Sequence, residues 1–320
     1  MSPPAPNSLA ELAALRHNAK AFGELLAVLQ RAGLLSVEAG PGDSTFVATC
    51  RMPRASDFQS PWLQDACRLL QIEPRMHRQV WEYAYVLAAL RSHGLLQPGR
   101  RALGVATHSD PLASCLAAHG VEVVLADAGE PATVREAALR PHLVERARFE
   151  ALVSVEPLDH VWQPARWAGQ FDLCWTTQAL ERQGSAARGL ELAHAMSRFL
   201  RPGGLGALTT EFDLGLVGPA PEGASLSLFC QSHLQALAAE LTAHGHALAP
   251  LDLSWGNGVL DAYIDMPPYP GDPGEVPGRP EPAHLKMLVD GVPVTRIGLL
   301  LHAASVNPLE PAGHPSRTSP

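Results

Sequence analysis

Acidic side chains recur where short apolar runs of this chain end: Asp127 after VEVVLA, Glu156 after FEALVSV, Glu181 just beyond FDLCWTT, and Glu211 and Asp213 in LGALTTEFD. An acid closing the second strand of a nucleotide-binding sheet accepts hydrogen bonds from ribose hydroxyls, which makes Asp127 a candidate for that task. A solvated turn is the competing reading. Glu181, Glu211 and Asp213 approach one rim, where grouped carboxylates attract a cation or remove a proton. Alternatively, Glu211 binds backbone amides or Arg182. The turn GVATHSDPL (104–112) fits neither GxGxxG nor GxxxxGK[ST], and Ala106 and His108 argue against a dinucleotide pyrophosphate. A ligand without phosphates, such as adenosine with a short tail, needs less of that anion cradle.

Of 14 histidines only His244-x-His246 is closely spaced, at the end of an Ala/Leu-rich helix where C-capping is expected, so no metal is expected. His284 follows a proline-rich loop and either faces a substrate or anchors that loop. The five cysteines form no CxxC pair, which excludes a zinc ribbon or thioredoxin site and disfavours a disulfide scaffold. Cys174 reads as a small core hydrophobe.

The elements that must position these groups follow from periodicity. Leu15, Ala19, Phe22, Leu26 and Leu29 mark one apolar face of a helix over 8–33, begun by a Ser8/Glu11 capping box, and a second helix spans 77–93. Strands are expected at 101–106, 121–127, 149–155, 171–177 and 205–212, with helices between them, including 185–200. That alternation is a parallel sheet covered on both faces. Beyond it lie a helix near 224–244, strand-like 259–266 and 294–303, and a proline-crowded loop (267–283) that reads as a stiff flap with Tyr269 as its aromatic residue. Residues 1–7 and 307–320 read as frayed ends.

Length and charge narrow the class. With 320 residues and 46% apolar content the chain supports one large α/β domain with additions. A net charge of −8 without a basic run disfavours nucleic acid and anionic lipid as partners. No signal-like leader or long apolar run stands out, so a soluble cytoplasmic protein is expected.

Six segments in order, HRQVWEYAYVLAAL (77–90), LGVATHSDPL (103–112), VEVVLAD (121–127), FDLCWTTQALERQGS (171–185), LRPGGLGALTTEFDL (200–214) and PPY…HLKML (267–288), resemble a bacterial branch of the class I S-adenosylmethionine-dependent methyltransferases. Members of that branch read HRKxWEY, GxGxEPL, ALEHLGS and TTEFN. The resemblance implies a Rossmann-like seven-stranded α/β sheet over 95–305, an N-terminal helical cap (1–94) and a disordered tail (306–320). It further implies S-adenosylmethionine held by Trp81, Gly104, Ala106, His108, Asp110, Asp127, Ala128, Glu156, Trp175, Thr176 and Thr177. Glu181, Glu211 and His284 become the catalytic candidates, with His77, Tyr83, Asp213 and Tyr269 toward a small-molecule substrate; a homodimer is left open. Departures stand at Ala106 and His108, at Arg182 in place of the family's histidine, and at Glu156-Pro157-Leu158. Those departures keep a catalytically silent binding or scaffold protein as the alternative reading, and a nicotinamide-dependent oxidoreductase as the second.

Overall fold

Short β-rich runs separated by helices pair into one sheet in the computed structural model of the chain. The structure describes residues 9–35, 45–107, 109–216, 226–269 and 281–304. Four elements come first: α1 (Leu9–Arg31), β1 (Cys50–Arg51), α2 (Pro61–Leu70) and α3 (Arg78–Ser92). The alternating section runs β2 (Arg101–Val105), α4 (Leu112–Ala118), β3 (Glu122–Asp127), α5 (Pro131–Ala138), α6 (Arg146–Leu152), β4 (Val153–Pro157), α7 (Pro164–Trp167), β5 (Phe171–Thr177), α8 (Ala186–Phe199) and β6 (Leu200–Asp213). Then follow α9 (Gln231–Ala243), β7 (Ala247–Leu248), β8 (Leu251–Asp252), α10 (Val259–Ala262), β9 (Lys286–Val289) and β10 (Val292–His302).

The strand order is β4-β3-β2-β5-β6-β10-β1-β8, with β7 and β9 also paired to β10. Strands β4, β3, β2, β5 and β6 are mutually parallel, while β10 runs antiparallel to β6. The fold is therefore a Rossmann-like α/β sheet whose order reverses at β2, and ligands in such sheets bind beyond the carboxyl ends of the strands at that reversal. Ten strands, rather than the expected seven, occur among the described residues, because short strands gather around β10. One of them, β1, comes from the amino-terminal region, so that region enters the sheet as well as capping it.

Three local expectations change. The run 149–155 is not all strand: α6 continues to Leu152 and buries Phe149, so β4 starts at Val153. Strand-like 259–266 instead opens with the helical turn α10, fixed by Asp261, whose carboxylate accepts from Gly258 N (3.1 Å) and Ala55 N (2.7 Å). The apolar face of α1 is rotated. Leu26 is buried, but Leu15 and Phe22 remain 60% and 50% exposed. Gly23 explains this: a β-carbon there would fall 2.1 Å from the Tyr263 hydroxyl, so the helix docks along its glycine side. Among the described residues, no helix is long and apolar enough to cross a membrane.

Helix α3 lies on β10 by a similar device. A β-carbon on Gly298 would meet the Tyr85 ring at 2.3 Å. That ring is stacked on Trp81 (4.8 Å between centroids), and its hydroxyl donates to Thr49 O at 2.8 Å, which leaves it little room to retreat. Gly298→Ala is expected to destabilise the fold by about 1–3 kcal/mol, the scale of overpacking. Urea unfolding with an unchanged midpoint would contradict this packing.

Candidate active site

At the reversal, β2 delivers Gly104 and Val105 to a turn whose next residue, Ala106, adopts φ +53°. The left-handed conformation costs a non-glycine residue about 1–2 kcal/mol. Gly104 is needed for a different reason, since its β-carbon would sit 2.5 Å from the Trp175 indole. Beside it, Thr107 Oγ1 is buried without a hydrogen-bond partner among the described residues. Thr176 closes the floor by donating to Val105 O at 2.8 Å. His108 lies outside the described residues.

Asp110 is fully enclosed at the end of this turn. It accepts from Leu112 N (3.0 Å), Trp175 Nε1 (3.2 Å) and Thr177 Oγ1 (3.3 Å), and burial pushes its carboxyl up to about 7 despite those bonds. Tyr83 approaches from α3; burial first, then the charges of Asp110 and Glu82, raises its phenol. On the adjacent strand Asp127 ends β3, 7% exposed, accepting from Gly129 N at 2.9 Å and followed by exposed Ala128. Glu156 lies one residue before the end of β4, where Arg166 donates to its carboxylate at 2.9 Å and His160 Nδ1 lies 3.2 Å away. Trp81 does not join this group. It is wholly buried and donates to Asp57 at 2.7 Å inside the amino-terminal layer, so it supports α3 rather than touching the crevice.

Glu181 and Glu211 prove to be occupied. Arg296 on β10, 3% exposed, donates through Nη1 to Glu181 (2.6 Å) and lies 3.3 Å from Glu211 and 3.2 Å from Glu82. Arg78 grips Glu211 with both terminal nitrogens. Thr210 donates to Glu181 (3.1 Å), and Thr209 (2.6 Å) and Gln178 (3.4 Å) donate to Glu82. Burial lifts the Glu82 carboxyl against the opposing pull of Arg296, whereas the three glutamates hold the Arg296 guanidinium above its usual range even though burial works the other way. Carboxylates paired in this manner are anchors, not open proton acceptors. Asp213 is partly buried at the strand end and accepts from Gly215 N, away from the cluster, and Arg182 points outward, so it is not the partner of Glu211.

The third catalytic candidate has a different setting. His284 Nδ1 lies 2.7 Å from Asp265, and its ring stacks on His77 at 4.9 Å and meets Tyr269 edge-on at 5.4 Å. Asp265 also accepts from Lys20 (2.9 Å), Tyr263 (3.2 Å) and Met266 N (2.9 Å). Burial alone would raise its carboxyl, yet His284 and Lys20 hold it below the usual range. His77 caps α3 by accepting from Gln79 N, and burial with neighbouring His284, Arg75 and Arg78 pulls its imidazole down to about 3, so it stays neutral. His77 also lines a cavity of about 580 Å³ with Arg31, Glu73, Arg75, Met76 and Leu260. Of the flap expected over 267–283, residues 270–280 lie outside the described residues; its flanks meet in the Asp265–His284 contact.

Arg296, Glu82 and Thr107 were missed in the sequence. A lone arginine in the apolar run VTRIGLLLHA was the available signal for the first.

No family model matches the chain, and no curated protein matches it. Solved structures are similar at low identity. One is a Galdieria sulphuraria protein described as a sarcosine dimethylglycine methyltransferase, 12% identical over 76% of this chain and 98% of that one, with a TM-score of 0.45. The CurJ carbon methyltransferase is 14% identical over 72% of this chain and 54% of its own (TM-score 0.40). The [4+2]-cyclase SpnF is 20% identical over 52% and 59% (TM-score 0.37). At such distances a neighbour's activity does not transfer.

Two outcomes follow from this geometry. Arg296→Met strands buried carboxylates and is expected to destabilise the protein by about 3–5 kcal/mol, the scale for breaking a buried pair. A loss below about 1 kcal/mol in urea would contradict the anchoring role. Between 3.8 and about 7 the native state keeps a proton on Asp110 that the unfolded chain has released, so stability falls as pH rises through that window. Asp110→Asn should remove a slope of up to about 1.4 kcal/mol per pH unit, and parallel stability profiles for the two proteins would refute the buried acid.

Proposed function

We propose that the chain is an S-adenosylmethionine-dependent methyltransferase acting on a small-molecule acceptor. The observation that carries this reading is the reversal of strand order at β2, where the buried Asp127 ends β3 and the turn after β2 buries the Thr107 hydroxyl without a partner among the described residues. A buried hydroxyl without a partner is costly, and a polar ligand atom satisfies it. The turn has no glycine-rich pyrophosphate cradle, which favours a nucleoside ligand over a dinucleotide. These residues fit the cofactor: Asp127 would accept from the ribose hydroxyls, Thr107 would meet a polar atom of the methionyl portion, and Glu156 would lie toward the adenine.

Bound there, S-adenosylmethionine supplies a methyl group already activated by its sulfonium, so the protein's tasks are alignment and removal of one proton. His284 is suited to the second. With Nδ1 directed at Asp265, its Nε2 lone pair is the one that accepts a proton, and the ionised Asp265 stabilises the imidazolium that results. Neutral His77, stacked against it, adds no repelling charge. The cavity beside His77 would take the acceptor, with Arg31 and Arg75, which both donate to Glu281, and Glu73 as its charged groups and Leu260 and Met76 as apolar wall. Glu181 and Glu211, held by Arg296 and Arg78, position this edge without touching the transferred group.

Calorimetry separates the parts. Wild-type protein is expected to bind S-adenosylmethionine, and Asp127→Asn to weaken that binding by roughly tenfold to a hundredfold, the scale of a charged hydrogen bond. His284→Gln should leave the affinity within a factor of about two while reducing methyl transfer by roughly 10²–10⁴-fold, as loss of a general base does. Failure of the wild type to bind S-adenosylmethionine would overturn the proposal. Binding without transfer across an acceptor panel would favour the scaffold reading.

A further inference from the structure

His194 on α8 and Glu240 and His244 at the end of α9 come together on the opposite edge of the sheet from Asp127. One ligating atom from each of the three lies within 4.8 Å of the others. Glu240 and His244 are spaced i, i+4 and so share one helix face. Glu240 Oε1 stands 3.6 Å from His194 Nδ1 and 3.7 Å from His244 Nδ1, which sets the carboxylate beside both imidazole rings.

We infer that His194, Glu240 and His244 form a binding site for a divalent transition metal such as Zn²⁺, bridging α8 and α9.

Two further features support it. His194 Nε2 is buried with no hydrogen-bond partner among the described residues, so this imidazole has a nitrogen the protein fold leaves unused. His244 Nδ1 lies 2.9 Å from Glu240 O, the second-shell contact that fixes a metal-binding tautomer and frees Nε2 for the ion. Two imidazoles and one carboxylate suit Zn²⁺, Co²⁺ or Ni²⁺ and not Ca²⁺ or Mg²⁺. A cavity of about 430 Å³ adjoins His244 and is lined also by Arg198 and His246, while Glu240 and His244 are themselves open to solvent. His246 is not a ligand through Nδ1, which accepts from Ala304 N at 3.3 Å. From its spacing alone His244-x-His246 reads as capping. His244 does cap α9, but the decisive partner, His194, comes from another helix and carries no local spacing signal.

The site lies far from the proposed methyl-transfer edge and stands or falls independently of it. Titrating metal-free full-length protein with Zn²⁺ is expected to show one equivalent bound with a dissociation constant in the micromolar range or tighter, together with a rise in melting temperature. His194→Ala and His244→Ala should each weaken binding at least tenfold, and His246→Ala less than twofold. Glu240→Gln, at an exposed position, guards against a folding artefact and should also weaken binding with unchanged circular dichroism. Zn²⁺ affinity in the His194→Ala/His244→Ala double variant equal to wild type would overturn the site. So would a loss at His246→Ala as large as that at His244→Ala, because it would move the ion to other ligands.

Discussion

Arg296 is bound on three sides by glutamates that come from three different parts of the chain, and the remainder of the structure is arranged around that dry cluster. The reversed strand makes it feasible. Because β10 runs antiparallel to β6, Arg296 falls in register with Glu211. Glu181 arrives from the segment leaving β5 and Glu82 from α3, so a single guanidinium ties the sheet, its carboxyl-side loop and its covering helix. Buried ion pairs contribute modest net stability, but each partner becomes indispensable once the others are buried. The consequence is a fixed relation between α3 and the strand ends.

That relation sets two groups of polar side chains along the carboxyl edge. On one side stand the β2 turn, Asp110 and Asp127, where we propose that the nucleoside binds. On the other, Arg78 reaches from the cluster and donates its backbone amide to His284 O at 2.9 Å, tying the imidazole to the same frame. Lys20 adds a tie from α1 by binding both Asp265 and Met266 O. Charges that a sequence reader would assign to catalysis are consumed in holding the frame together. The groups left for chemistry are the few whose partners leave a face unused.

Much of the scaffold was legible from residue type and spacing. The run FDLCWTT is β5 to the residue, and α3 and α8 begin and end within one or two positions of expectation, because Gly and Pro punctuate them and Ser185 and His77 cap them. The place of Asp127 at the end of β3 could be read from the sequence. Elsewhere local pattern lost to tertiary context: α6 consumes half of an apolar run, Gly23 turns the face of α1, and Trp81 is drawn inward by Asp57. The ion cluster was invisible for a simpler reason. Carboxylates at strand ends announce themselves, whereas the arginine that neutralises them lies on a strand added last. The pairing of His284 with Asp265 was half visible as the two flanks of a proline loop, and the meeting of His194 with His244 was not visible at all.

The central claim is that the crevice between Asp127 and Thr107 holds a nucleoside cofactor. It is tested most directly by a crystal structure of the chain grown with S-adenosylhomocysteine. The expected result places both ribose hydroxyls within hydrogen-bond distance of the Asp127 carboxylate, with a polar atom of the ligand on Thr107 Oγ1 and the ion cluster unmoved. A ligand seated away from Asp127, or a crevice filled by side chains at saturating ligand, would contradict it.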